Sequence, residues 1–224
     1  GGSAYREGDI AEGIWKGGKE GMKKQSGFVK DAIILFAITL ISGLVLGFVY
    51  DITKAPIAAA AKAAKNEAYA VVFPEAKDFE ENEADTAKIA ETADEIAGKG
   101  FGHSNIDEVV TAKDESGNNI GRVITSTSKD GYNGTVQISV GIKSDGTVVG
   151  ITFLTLEETP GLGMRAAEKS FYGQYANKNT KEFKLVKGAA SADDEISAIS
   201  GSTITSTAVT NAVNAALYFN SILE

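Results

Sequence analysis

Cysteine does not occur among the 224 residues of this chain, and histidine occurs once, as His103. Disulfide scaffolds, thiolate nucleophiles, iron–sulfur clusters, cysteine-based zinc sites and haem held by paired histidines are therefore excluded together. Positive charge is also short. Lys and Arg number 22 against 30 Asp and Glu, a net −8. That balance argues against nucleic acid as a partner, because phosphates call for a basic stripe. No G-x-G-x-x-G follows a strand pattern, so a dinucleotide has no evident seat. The chemistry that remains runs on carboxylates, hydroxyls or a bound organic cofactor, with a purely binding role as the other class. Hydrophobic residues make up 43% and mean hydropathy is close to zero, which fits neither a disordered tail nor a multi-span membrane protein.

The charge is distributed unevenly, and a long hydrophobic run divides it. Residues 1–30 carry six Lys/Arg and four Asp/Glu, whereas residues 31–224 carry sixteen and twenty-six. Just after the first of these parts, Ala32 to Tyr50 form nineteen uncharged residues, AIILFAITLISGLVLGFVY. As a helix they reach about 28 Å, close to the roughly 30 Å hydrocarbon core of a bilayer. A buried core helix is disfavoured by the all-round hydrophobicity, and a cleaved signal peptide by a run longer than the usual ~7–15 residues. Gly43 and Gly47 form a GxxxG that permits close helix packing in lipid. Lys16, Lys19, Lys23, Lys24 and Lys30 precede the run and Lys54, Lys62 and Lys65 follow it. This bias places the N-terminus in the cytoplasm and the bulk of the chain outside. Met22, followed by KKQSGFVK, looks like a natural start, so residues 1–21 are set aside as an extension.

Beyond the run, residues 57–72 read as a helix stopped by Pro74, and residues 76–104 as an acidic surface helix with flanking loops. The period then changes. Val109–Lys113, Ile120–Ser128, Thr135–Lys143 and Thr147–Leu156 are rich in Val, Ile and Thr, and the turn clusters ESGNN, KDGYNG and SDG separate them. Such short connections imply antiparallel neighbours. A helix near Arg165–Ala176, a short strand at Phe183–Val186 and a helix from about Thr203 to Leu223 complete the pattern. The last of these buries Val209, Val213, Ala216 and Leu217 on one face. The expected class is α+β, an antiparallel sheet flanked by helices after one N-terminal transmembrane helix. The expected organisation is a cytoplasmic segment 1–31, a span 32–50, a helical and acidic connecting region 51–104 and a domain over 105–224.

Two segments have the composition of a site. Ser200-Gly-Ser-Thr-Ile-Thr-Ser206 opens the final helix with five hydroxyls in seven residues. Unpaired backbone N–H groups and the positive end of the helix dipole favour an anion such as phosphate there. An ordinary N-cap uses the same residue types but needs only one or two of them. Glu157-Glu-Thr-Pro-Gly-Leu-Gly163 follows a strand. Pro160 stiffens it, while Gly161 and Gly163 allow a flat ligand to approach the main chain; a tight turn with exposed acids is the alternative. Gly131-Tyr-Asn-Gly134 reads as a hairpin turn with Tyr132 on the sheet, and His103 as a surface residue.

Ser197-Ala-Ile-Ser-Gly-Ser-Thr203 resembles the covalent-flavin motif D-x-x-[S/T]-G-A-T, with Ser197 in place of the aspartate and Ser202 in place of the alanine. The order GYNG, SVGIKSDGTVVGI, ETPGLG, SGST is that of FMN-binding domains, and with one N-terminal span it closely resembles the G subunits of Rnf complexes. The resemblance covers residues 23–224 in architecture. It implies FMN joined to Thr203 through a phosphoester, with Ser200, Gly201, Ser202 and Thr205 around the phosphate. Glu158, Thr159, Gly161, Leu162 and Gly163 are expected to line the ring. It further implies an electron carrier in a membrane complex that couples ferredoxin and NAD⁺ to Na⁺ or H⁺ movement. The expected partners are the other subunits, a flavin transferase and the lipid membrane. The flavin subunit of a Na⁺-translocating NADH:quinone reductase, or another extracytoplasmic FMN-binding protein, is the alternative.

Overall fold

A computed structural model describes residues 7–223; residues 1–6, part of the segment 1–21 set aside above, lie outside the described residues. The chain divides into two units, the first ending at Ala61 and the second running from Lys62. The first is helical over its described residues. It contains one segment, Phe28–Ile57, that is long and apolar enough to cross a membrane and is not buried against protein. This segment includes the uncharged run and extends past it at both ends. The helix expected over residues 57–72 is continuous with the one before it: α1 spans Glu7–Val72 with Pro56 inside it.

In the second unit, the last residues of α1 lead to β1 (Asp78–Glu81), α2 (Glu83–Gly98), β2 (Ser104–Lys113), β3 (Asn119–Ser128), β4 (Val136–Lys143) and β5 (Val148–Leu156). The five strands form one sheet in the order β1-β2-β3-β4-β5, antiparallel throughout. After β5 come short helical turns, with α3 limited to Lys169–Tyr172, then β6 (Lys184–Val186), β7 (Glu195–Ser197) and α4 (Thr203–Ile222). β6 and β7 pair in parallel as a separate small sheet.

Alternation along the strands supplies two apolar faces. Val109, Ile124, Val140 and Ile151 lie in one cross-strand row and belong to the core packed around α4. The opposite face offers Val110, Ala112 and Val123 to Tyr69, Val72, Phe73 and Phe79. Gly141 makes this second contact possible, because a Cβ there would lie 2.6 Å from the Val72 carbonyl oxygen. Tyr69 Oη donates to Glu108 Oε2 at 2.7 Å, and Lys65 Nζ donates to the same oxygen at 2.6 Å. The end of α1 is thereby fixed to β2.

α4 is buried on more than the single face its periodicity suggests. Besides Val209, Val213, Ala216 and Leu217, it buries Ala208, Ala212, Ala215 and Phe219. The segment before β6 covers its other side. Asn214 accepts from Phe183 N at 2.8 Å and donates to Phe183 O at 2.9 Å, replacing a missing backbone ladder with a side-chain amide. Tyr175 Oη lies 2.8 Å from Thr210 Oγ1, and its ring meets Phe171 and Phe183 edge-on.

Three expectations are corrected. The helix expected near Arg165–Ala176 is instead a 3₁₀ turn at Gly163–Ala167, the single turn of α3 and a 3₁₀ turn at Gly173–Tyr175. Glu168 is extended (φ −79°, ψ 140°) and interrupts any continuous helix there. Residues 76–104 contribute a strand, β1, beside α2, because the single apolar Phe79 docks its edge onto the sheet. Residues 184–197 hold two strands where one was expected.

Candidate functional site

Three connections meet at one end of the sheet: the turn after β3, the loop after β5 and the turn into α4. Glu158 joins them. Its side chain is buried, and Oε1 accepts from Tyr132 N and from Thr205 Oγ1, both at 2.8 Å. The glycines around it leave no room for a side chain: at Gly131 a Cβ would lie 2.2 Å from the Gly134 carbonyl oxygen, and the carboxylates crowd all three positions. A Cβ on Gly131 would lie 3.1 Å from Glu158 Oε1, one on Gly134 2.7 Å from Glu157 Oε2, and one on Gly163 2.5 Å from Glu158 Oε2. The exposed Glu157 accepts from Thr135 N at 3.1 Å and holds the far side of the same turn.

Local hydrogen bonds fix the other two connections. Thr159 O accepts from Leu162 N at 3.1 Å and from Met164 N at 3.2 Å, folding the PGLG segment on itself. Gly161 takes the positive φ (+76°) this requires. Before α4, Gly201 is likewise at φ +81°, and a Cβ there would lie 3.7 Å from Leu162 Cδ2. Ser206 Oγ accepts from Ile199 N at 3.0 Å and donates to Ser202 O at 2.9 Å, so the turn is pinned from inside the helix.

The cleft between these segments has a volume of about 650 Å³, within the ~300–1,000 Å³ typical of small-ligand sites. Glu158, Thr159, Leu162 and Gly163 line one side; Gly201, Ser202, Thr203, Ile204 and Thr205 line the other, with Tyr132 at the edge. Tyr132 is 70% exposed, Ile204 52% and Leu162 47%, so the mouth is apolar. Its floor is polar and incompletely satisfied. Ser202 Oγ and Glu158 Oε2 are buried without a hydrogen-bond partner. Ser202 sits at the N-cap position of α4 but makes no side-chain cap. Ser202 thus leaves the first-turn amides of a twenty-residue helix without an N-cap side chain, the arrangement that in general favours an anion.

Eight of the ten residues expected from the sequence line this cleft; Ser200 and Gly161 do not. Two lining residues were not expected. Tyr132, read as packing on the sheet, stands exposed at the edge of the cleft, and the clue to it was its pair of flanking glycines. Ile204 carried no signal beyond its place in the hydroxyl run. The two threonines differ in exposure: Thr203 is exposed, whereas Thr205 is 1% exposed and bonded to Glu158. Ser197, at the position of the motif's aspartate, accepts from Ala190 N at 2.8 Å, while Asp194 pairs with Lys184 Nζ at 2.7 Å. Next to the GYNG turn, Asp130 accepts from His103 N at 2.7 Å, and its other oxygen lies 2.6 Å from His103 Nδ1. Partial burial of Asp130 works against its charge, but the His103 contacts outweigh it and hold the carboxyl below the ordinary aspartate value. His103 itself is exposed, as its sequence context suggests.

Residues 131–218, which run from the GYNG turn into α4, match the FMN-binding domain family. The G subunit of the Na⁺-translocating ferredoxin:NAD⁺ oxidoreductase complex of Acetobacterium woodii is 35% identical over 193 residues, 83% of this chain and 87% of that protein. The chain belongs to the G-subunit family of ion-translocating oxidoreductase complexes. The G subunit of the proton-translocating ferredoxin:NAD⁺ oxidoreductase complex of Clostridium ljungdahlii is 31% identical over 84% of this chain and 92% of its own length. The G subunit of the ion-translocating oxidoreductase complex of Methanosarcina acetivorans is 28% identical over 91% and 100%. Among solved structures, NqrC of Shewanella oneidensis aligns at 22% identity and a TM-score of 0.46 over 51% of this chain and 59% of its own.

Proposed function

We propose that this chain carries FMN on Thr203 through a phosphoester and passes electrons within an Rnf-type complex, between ferredoxin and NAD⁺, coupled to Na⁺ or H⁺ movement. The observation that carries the attachment is the contrast between two hydroxyls in one cleft. Thr205 is buried and already donates to Glu158, while Thr203 is exposed in the first turn of α4. A phosphate on Thr203 keeps its negative charge beside uncapped amides and the helix dipole, worth about 0.3–1 kcal/mol at an exposed end. Ser202 Oγ, buried and unpartnered, supports the same position as a donor to a phosphate oxygen. Thr159, Leu162, Gly163 and Glu158 would then face the ring, with Tyr132 and Ile204 at its edge. Ser200 and Gly161 act indirectly, by shaping the two turns.

Bound there, FMN supplies electron transfer, and the chain's part is to hold, orient and partly desolvate it. In this reading residues 105–224 hold the flavin, and 51–104 connect them to the span 32–50 while adding β1 to the same sheet. Residues 1–31 lie in the cytoplasm and the domain lies outside, following the lysine bias. A flavin transferase attaches the cofactor, and the other subunits of the complex donate and accept the electrons.

Peptide mass spectrometry after co-expression with a flavin transferase should find the FMN increment on the peptide containing Thr203. Thr203→Ala should give a folded, colourless chain, and membranes carrying it should lose ferredoxin-to-NAD⁺ transfer. Flavin retained by that variant, or mapped to Thr205, overturns the assignment. Protease added to spheroplasts should release the domain; protection until the membrane is broken would reverse the topology.

A further inference from the structure

We infer that Glu158 sets the reduction potential of the site low, by placing a buried negative charge against the bound flavin. This rests on the proposed FMN attachment and adds a role that neither the attachment nor the cleft's shape requires. Glu158 is 6% exposed, and its two hydrogen bonds both fall on Oε1. Oε2 is buried without a partner. Among the described residues lining the cleft, none is Lys, Arg or His. The nearby cation in sequence, Arg165, is turned to Glu168 at 3.6 Å, and Lys169 lies beyond it.

A carboxylate in that setting is compensated by dipoles alone. Two donors, Tyr132 N and Thr205 Oγ1, offset part of its charge, and no counter-ion among the cleft's lining residues offsets the rest. Adding electrons to a ligand in the same cleft raises negative charge next to an existing one, which disfavours the reduced form. Burial makes the effect large, because water and salt screen it little. Oε2 accepts and cannot donate while the carboxylate is charged. It therefore also favours the end of the ligand that carries an N–H and repels the phosphate, which is left at the amides of α4.

Full-length protein, flavinylated by co-expression, is titrated in a spectroelectrochemical cell as wild type, Glu158→Gln and Glu157→Gln. Glutamine at 158 keeps a carbonyl for Tyr132 N and Thr205 Oγ1, so the turns stay joined while the charge is lost. The expected result is a shift of Glu158→Gln to more positive potential. At a fixed electrode potential the reduced-to-oxidised ratio should rise at least about tenfold, about 30 mV for a two-electron couple. The shift should persist at high salt. Glu157→Gln removes the same charge from an exposed neighbour and should shift the ratio far less. Glu158→Asp, which keeps the charge, should stay nearer to wild type than Glu158→Gln and keeps the test decisive if glutamine disturbs folding. Equal potentials for wild type and Glu158→Gln on intact flavinylated protein, or equal shifts for the 157 and 158 variants, overturn the inference. Wild-type protein without flavin on Thr203 overturns the attachment instead.

Discussion

Gly163→Ala measures how firmly Glu158 is held. The new Cβ would lie 2.5 Å from Glu158 Oε2 and 2.7 Å from both Glu158 Cδ and Thr205 Oγ1. A free carboxylate swings aside at little cost. This one is buried and bonded at 2.8 Å to Tyr132 N and at 2.8 Å to Thr205 Oγ1, so moving it gives up two charge-assisted bonds. At about 1.5–3 kcal/mol each, with part recovered by relaxation of the loop, the expected destabilisation is about 2–4 kcal/mol. For a domain of this size that lowers Tm by about 5–15 °C. Thermal unfolding of the detergent-solubilised chain, followed by circular dichroism, reads the change. Gly188→Ala is the control, since nothing lies within 4 Å of its Cβ position; it should stay within about 0.5 kcal/mol. In a Glu158→Ala background the carboxylate is gone and Thr205 Oγ1 has lost the bond that holds it toward position 163, so the added cost of Gly163→Ala should fall below about 1 kcal/mol. A Gly163→Ala protein within about 0.5 kcal/mol of wild type would refute the reasoning, because Glu158 would then be free to move.

Asn214→Leu should be among the costliest substitutions in α4. It strips partners from both Phe183 N and Phe183 O at a buried site, for an expected loss of about 2–4 kcal/mol by urea unfolding, where Asn214→Asp at low pH should retain part of the stability. Asp130 gives the acid limb of stability near the cleft. Its folded value is held below its unfolded one by His103, so its contribution is full above the unfolded aspartate value of about 3.9 and disappears as pH falls through the folded value. The difference between wild type and Asp130→Asn in urea unfolding should be larger at about pH 5 than below about pH 4; a difference that grows on acidification over that range contradicts the sign.

Much of the fold was legible because the strands obey strong local rules. β3, β4 and β5 begin and end within one residue of the expected positions, since Val, Ile and Thr alternate between clear turn clusters. β1 and β7 are four and three residues long and carry one buried side chain each, Phe79 and Ile196, so only the neighbouring strand reveals them. The segment 163–176 has helical composition, yet its aromatic residues serve separate contacts: Phe171 and Tyr175 pack on one another and Tyr175 on Phe183. Tertiary packing broke a pattern that local propensity favoured.

The cleft was legible in its polar residues and not in the geometry that sorts them. SGSTITS announces hydroxyls without saying which one is available. At about 100° per residue, positions 203 and 205 point about 200° apart, so one must face inward when the other faces out. Periodicity alone leaves the sign open. Glu158 decides it by accepting from Thr205, and Glu158 is itself sorted from Glu157 by the same kind of opposition, one side chain buried and its neighbour exposed. Two adjacent acids and two nearby threonines are thus assigned together by one buried hydrogen bond. The glycine at 163 is its spatial condition, for any side chain there would meet the carboxylate, whereas the glycine at 131 is required first by the Gly134 carbonyl of its own turn. Composition shows that small residues and acids are present; only the folded connection shows that residue 163 is small because the acid is there.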